Sequence, residues 1–158
     1  MTADQYNQCV DLYADRIYRF VLKHLGRVAE AKDIVQSSFE ILWRNHERVE
    51  FQRSRSYLFQ VAYRLLLKSF EQTQVVELTD DLELTAREQP LGLREALDVA
   101  LARLSPVQKA LVLLRDYEGY RYDEIAAITG LSEAQVKVYL FRARKKLKDF
   151  LVSLHHVV

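Results

Sequence analysis

Apolar residues recur along this chain at spacings of three and four, the period of a helix that buries one face. In the first run Tyr6, Cys9, Tyr13, Ile17 and Phe20 form such a stripe. In the second, Ala31, Ile34, Val35, Ser38, Ile41 and Leu42 cluster on one side of a helical wheel. The third carries two stripes: Leu58, Val61, Ala62 and Leu65 on one, Phe59, Tyr63, Leu66 and Phe70 on the other. A single core can use only one of them fully. The pattern predicts helices over 4–25, 29–45 and 56–70, then over 93–103, 105–117, 122–129 and 132–154.

Turn chemistry supports an all-α reading. Four glycines and two prolines are too few for a set of hairpins, and they fall where helices end, at Gly26, Gly92 and Gly130. Ser105, Pro106 and Gln108 sign one helix start as N-cap, first position and capping-box partner; Ser132 and Gln135 sign another. The longest apolar runs, near Leu65–Leu67 and Ala110–Leu114, are far shorter than a membrane span, and the first residues lack the basic-then-apolar order of a signal peptide. A cytoplasmic protein without membrane insertion is expected. The single cysteine, Cys9, lies on the first apolar stripe and reads as a packed core thiol.

A net charge of +1 hides a lopsided distribution. Between Glu71 and Pro90 six acids face one base, Arg87, whereas from Ser132 to Phe150 six bases face only Glu133 and Asp149. That asymmetry predicts two helical domains, 1–71 and 92–158, joined by an acidic linker over 72–91, with a nucleic-acid-binding end in the second. Within the second domain Gly130 breaks one helix and the next begins at once. A helix-turn-helix needs a small residue at the crossing, a turn residue tolerant of positive φ, and apolar locks on the second helix; Ala126, Gly130 and Val136 supply them, with Ile125, Leu131 and Leu140 as wedge. The stripe Val136, Leu140, Ala143 and Leu147 then turns Glu133, Ala134, Lys137, Val138, Phe141, Arg142 and Lys145 outward, the face that would enter a major groove.

In the first domain Phe39 and Trp43 fall on the shoulder of their stripe beside Lys32 and Gln36, where they serve either a wide core or a partner-binding patch. The second stripe of the third segment lies near Arg53, Arg55, Arg64 and Lys68, and aromatics interleaved with bases suit single-stranded nucleic acid, unless a neighbouring helix covers them. No constellation points to an enzyme or a metal site: none of the four histidines has a glutamate three positions before it. No cofactor is expected.

Taken in order, "KDIVQSSFEILW", "RSYLFQVAYRLL", the acidic stretch and "LSPVQKALVLLRDYEGYRYDEIAAITGLSEAQVKVYLFRARKKL" resemble the extracytoplasmic-function family of bacterial RNA polymerase sigma factors over nearly the whole chain. The resemblance implies an alternative sigma factor whose partners are core RNA polymerase, through its β′ clamp helices and β flap, and promoter DNA, with room for an anti-sigma protein. It implies polymerase contacts at Asp33, Gln36, Phe39 and Trp43. The −10 element, as opened single strand, would meet Arg53, Arg55, Tyr57, Phe59, Tyr63, Arg64 and Lys68. The −35 element, as duplex, would meet Ser132, Glu133, Gln135, Lys137, Val138, Arg142, Arg144 and Lys145. The linker would thread into the polymerase. Ser37, Arg64, Lys68, Val138, Tyr139 and Phe141 depart from the family's common residues, so the promoter preference is expected to be the chain's own. A helix-turn-helix regulator that never meets polymerase, and a sigma-like adaptor without promoter recognition, are the alternatives.

Overall fold

A computed structural model describes residues 1–73 and 92–156. All regular structure among them is helical: α1 (Ala3–Leu25), α2 (Val28–Arg44), α3 (Ser54–Thr73), α4 (Leu93–Ala102), α5 (Pro106–Val112), α6 (Tyr122–Thr129) and α7 (Glu133–His156), with a 3-10 turn at Phe51–Arg53 and a π turn at Leu113–Tyr117. Residues 72–73 continue α3; the rest of the expected acidic linker up to residue 91 lies outside the described residues.

Helices α1, α2 and α3 pack mutually around Cys9, Ile17, Val21, Ala31, Leu42, Leu58 and Ala62. Their boundaries follow from capping. Thr2 and Gln5 close a capping box ahead of α1, and Gly26, at φ 71°, ends the helix in the left-handed region that costs glycine nothing. Cys9 is fully buried, its thiol 3.2 Å from the Ser54 hydroxyl, as a core position requires.

In the second half α5 starts at the expected Ser105–Gln108 box with Pro106 in its first turn. The helix expected to run on to Tyr117 instead widens into the π turn. There Glu118 N–H donates to Leu113 O (3.0 Å) and Tyr120 N–H to Leu114 O (3.0 Å), and Gly119 at φ 78° reverses the chain. The widened turn brings Tyr120 inside, 5% exposed. Helix α6 ends at Gly130 (φ 80°), and Ser132 and Gln135 exchange hydrogen bonds of 2.9 and 3.1 Å at the start of α7.

The two halves pack against each other. Helix α3 meets α6, and α1 meets α4 and α5. Phe59, fully buried, lies edge-on between Phe20 (5.3 Å) and Tyr120 (5.7 Å). Both stripes of α3 therefore supply buried residues, the second with help from the other half. At the far edge of this seam Lys109 is 8% exposed and donates to the α1 carbonyl of Lys23 (3.0 Å), where the partial negative charge of a helix end favours a cation. Burial pulls its ammonium pKa down. Next to it, burial lowers His24 to about 4, with Lys109 adding to the effect, so the ring is neutral at neutral pH.

Candidate nucleic-acid and polymerase interface

On α2 the expected partner residues separate. Asp33 and Gln36 are exposed, Gln36 donating to Glu40 across one turn (3.3 Å). Phe39 is 7% exposed and packs under the Tyr6 ring, so the reading of Phe39 as a surface anchor is corrected: α1 covers the shoulder on which it sits. Trp43, one turn on, is 43% exposed. It is held by Tyr6 edge-on (4.9 Å) and by His46 stacked at 4.2 Å. It forms one wall of a groove of about 490 Å³ with Tyr6, Asn7, Glu40 and Arg44. A large aromatic fixed in place yet open on one face is what an interface anchor needs.

The residues expected to meet single-stranded DNA divide between opposite sides of α3. Tyr57, Arg64 and Lys68, at spacings of seven and four, share one line along the helix; Arg64 and Lys68 are exposed, with no ion pair among the described residues. Tyr57 and the exposed Arg53 line a pocket of about 350 Å³ together with Asn45, Arg48, Val49 and Glu50. Arg48 and Asn45 were not singled out from the sequence, although Arg48 stands in the basic run "HERVEFQRSRS". Phe59 and Tyr63 lie on the other side and are 0% and 4% exposed. Both rings are buried rather than on the expected open platform, and Phe59 is covered by Tyr120 of the second half. Arg55 is on that covered side as well, its guanidinium donating to the Glu118 carbonyl (2.8 Å) and carboxylate (3.0 Å) and lying 4.7 Å over the Tyr120 ring.

On α7 the arrangement follows the sequence reading closely. Val136, Leu140 and Ala143 are buried, while Glu133, Ala134, Lys137, Val138, Phe141, Arg142 and Lys145 are all exposed. Arg142 and Lys145 have no acidic partner among the described residues. Lys137 sits 3.9 Å from Glu133, a long, exposed pair of little strength. Three expected DNA contacts have local tasks: Ser132 and Gln135 cap α7, and Arg144 pairs bidentately with Asp116, which holds the helix to the π turn and raises the pKa of Arg144.

Residues 9–75 match Sigma-70 region 2, and residues 94–147 match Sigma-70, region 4. Over 159 residues the chain is 27% identical to the ECF RNA polymerase sigma factor SigE of Mycolicibacterium smegmatis, covering 94% of this chain and 62% of that protein. To the ECF RNA polymerase sigma factor SigM of Bacillus subtilis it is 26% identical, covering 94% of each. Its fold resembles that of the sigma factor RpoE of Bartonella quintana, solved with the anti-sigma factor NepR, at a TM-score of 0.73, 21% identity and 92% and 96% coverage. The chain belongs to the extracytoplasmic-function sigma factors of the sigma-70 family, proteins that direct RNA polymerase to promoters and are not enzymes. No helix of the described residues is long and apolar enough to cross a membrane.

Proposed function

We propose that this chain loads onto core RNA polymerase in the cytoplasm and brings it to a promoter through two DNA contacts made by its two halves. The α2 surface carrying Asp33, Gln36 and Trp43 docks on the β′ clamp helices, and the helix-turn-helix half meets the β flap. Helix α7 enters the major groove of the −35 duplex with Lys137, Val138, Arg142 and Lys145 foremost. The opened −10 strand runs along Tyr57, Arg64 and Lys68, with Arg53 and Arg48 at a pocket roomy enough for an unstacked base. An anti-sigma protein, such as the NepR seen with RpoE, is a further partner in this reading.

The observation that carries the reading is the pairing of an unoccupied basic face on α7 with an exposed, rigidly held Trp43 on α2. A regulator that bound DNA alone would gain nothing from such an aromatic. Trp43→Ala should weaken capture of core polymerase by about 2 kcal/mol while duplex binding survives. Phe39→Ala is unsuitable because it opens a hole in the domain. Undiminished capture by a folded Trp43→Ala protein would sink the assignment.

A further inference from the structure

The turn between the π turn and α6 does something that promoter binding does not require. Glu118, whose side chain is 11% exposed, places one carboxylate oxygen 3.1 Å from Arg16 of α1 and 3.0 Å from Arg55 of α3. Two residues on, the Tyr120 ring lies beneath the Arg55 guanidinium and edge-on to Phe59. Gln60 of α3 donates to Ala127 O (3.2 Å), and Lys23 pairs with Asp98 (3.2 Å) along the same seam. An anion on two arginines and an aromatic ring against Arg55 and an α3 aromatic are the contacts a nucleic-acid strand makes with such a surface.

We propose that the Glu118-Gly119-Tyr120 turn is an internal stand-in for the DNA strand: in the free chain it occupies Arg55 and Arg16 as a phosphate and base would, and keeps the two halves closed. The inference rests on the reading of α3 as a −10 surface and extends that surface round the start of the helix, from Tyr57 to Arg55 on its other side. In the closed chain one terminal nitrogen of Arg55 is bonded to Glu118 and its guanidinium lies over the Tyr120 ring, which takes the place a strand would need. The closed seam is also imperfectly satisfied. Arg55 Nε and the Tyr120 hydroxyl are buried without a hydrogen-bond partner, and such groups regain partners when exposed. A latch of that kind holds the free chain yet gives way when polymerase draws the halves apart.

The test is binding of short, fluorescently labelled single-stranded DNA of randomised sequence by the full chain across a salt series. Arg55 and Arg16 are free for a strand only in the open fraction, and their share of the binding is reduced by that fraction. Glu118→Gln should therefore tighten binding about fivefold. It should also steepen the salt dependence by about 0.7 for each arginine released to phosphate. Arg16→Gln loosens the latch from the other side and should give part of the tightening. Adding Arg55→Gln to Glu118→Gln should remove the gain. Glu30→Gln, at a partly exposed acid paired with the N-cap residue Arg27, controls for the change in net charge. Thermal melts establish that each variant is folded.

Affinity and slope unchanged in a folded Glu118→Gln protein would overturn the latch, as would a gain that survives Arg55→Gln or is matched by Glu30→Gln. If the wild-type chain bound to core polymerase also fails to take up single-stranded DNA, the −10 reading falls and the latch with it. If that complex binds and Glu118→Gln adds nothing to the free chain, only the latch falls.

Discussion

Helices α3 and α7 look alike in the sequence: each is long, carries aromatics and bases, and is assigned to DNA. The structure uses them differently. Helix α7 buries one stripe, Val136, Leu140 and Ala143, and leaves the rest of its circumference wet; α3 buries Leu58, Val61 and Ala62 on one side and Phe59, Tyr63 and Leu66 on another. A helix with neighbours on one side can be read from periodicity alone, because whatever is off the stripe is outside. A helix with neighbours on two sides cannot. An aromatic off the first stripe is then either a binding group or the floor of a second contact, and only the position of the neighbour decides.

Removing one aromatic from each helix should have the most unequal effects. Phe59 touches Phe20 and Tyr120 and has no exposed surface, so Phe59→Ala should cost about 3–5 kcal/mol in urea unfolding of the full chain. Phe141, on α7, is 72% exposed, and its truncation should stay within about 0.5 kcal/mol. Equal, small losses would mean that α3's second side is open in solution and that Phe59 is available to DNA after all.

This contrast also explains what could be read in advance. The helices, apart from the π turn that replaces the end of α5, the capping boxes at Ser105 and Ser132, and the outward face of α7 follow from local rules of spacing and hydrogen bonding. The burial of Phe39 and Phe59 did not, because each is covered by a segment far away in sequence: Phe39 by Tyr6 and Phe59 by Tyr120. Arg144 was similarly opaque. Its partner Asp116 comes from a turn whose π geometry has no signature in the apolar pattern. The pocket at Arg48 and Tyr57 is formed by a loop folding onto the start of α3, and periodicity says nothing about loops.

Within α7 itself the basic residues should separate by whether they are already engaged. Arg142 and Lys145 are exposed without acidic partners among the described residues, so replacing either with alanine should lower the salt slope of duplex binding by about 0.9. Arg144 must first leave Asp116, and Arg144→Ala should change the slope by clearly less than Arg142→Ala. The pair is about two-fifths exposed on each side, so its loss should cost at most about 1 kcal/mol of stability. The measurement is a salt titration of the full chain on a promoter duplex. A slope change for Arg144→Ala as large as that for Arg142→Ala would show that the Asp116 pair dissolves on DNA.

The smallest expected effect tests the orientation of α7 most directly. Val138 is 46% exposed, lies on the face opposite Val136 and Leu140, and is flanked by Lys137, Phe141 and Arg142. A valine in the major groove can touch a thymine methyl but offers no hydrogen bond. It should therefore favour thymine at one −35 position by about 1 kcal/mol at most, less than a bidentate side chain would give. Val138→Ser should flatten that preference with little change in overall affinity. Replacing the same thymine with deoxyuracil, which lacks only the methyl group, should weaken wild-type binding and leave the Val138→Ser protein indifferent. The readout is binding across a library randomised through the −35 element, followed by the single thymine-to-uracil exchange at the position it reveals. If wild type and variant show the same preferences at every position, Val138 faces away from the bases, and α7 is rotated about its axis from the docking proposed above.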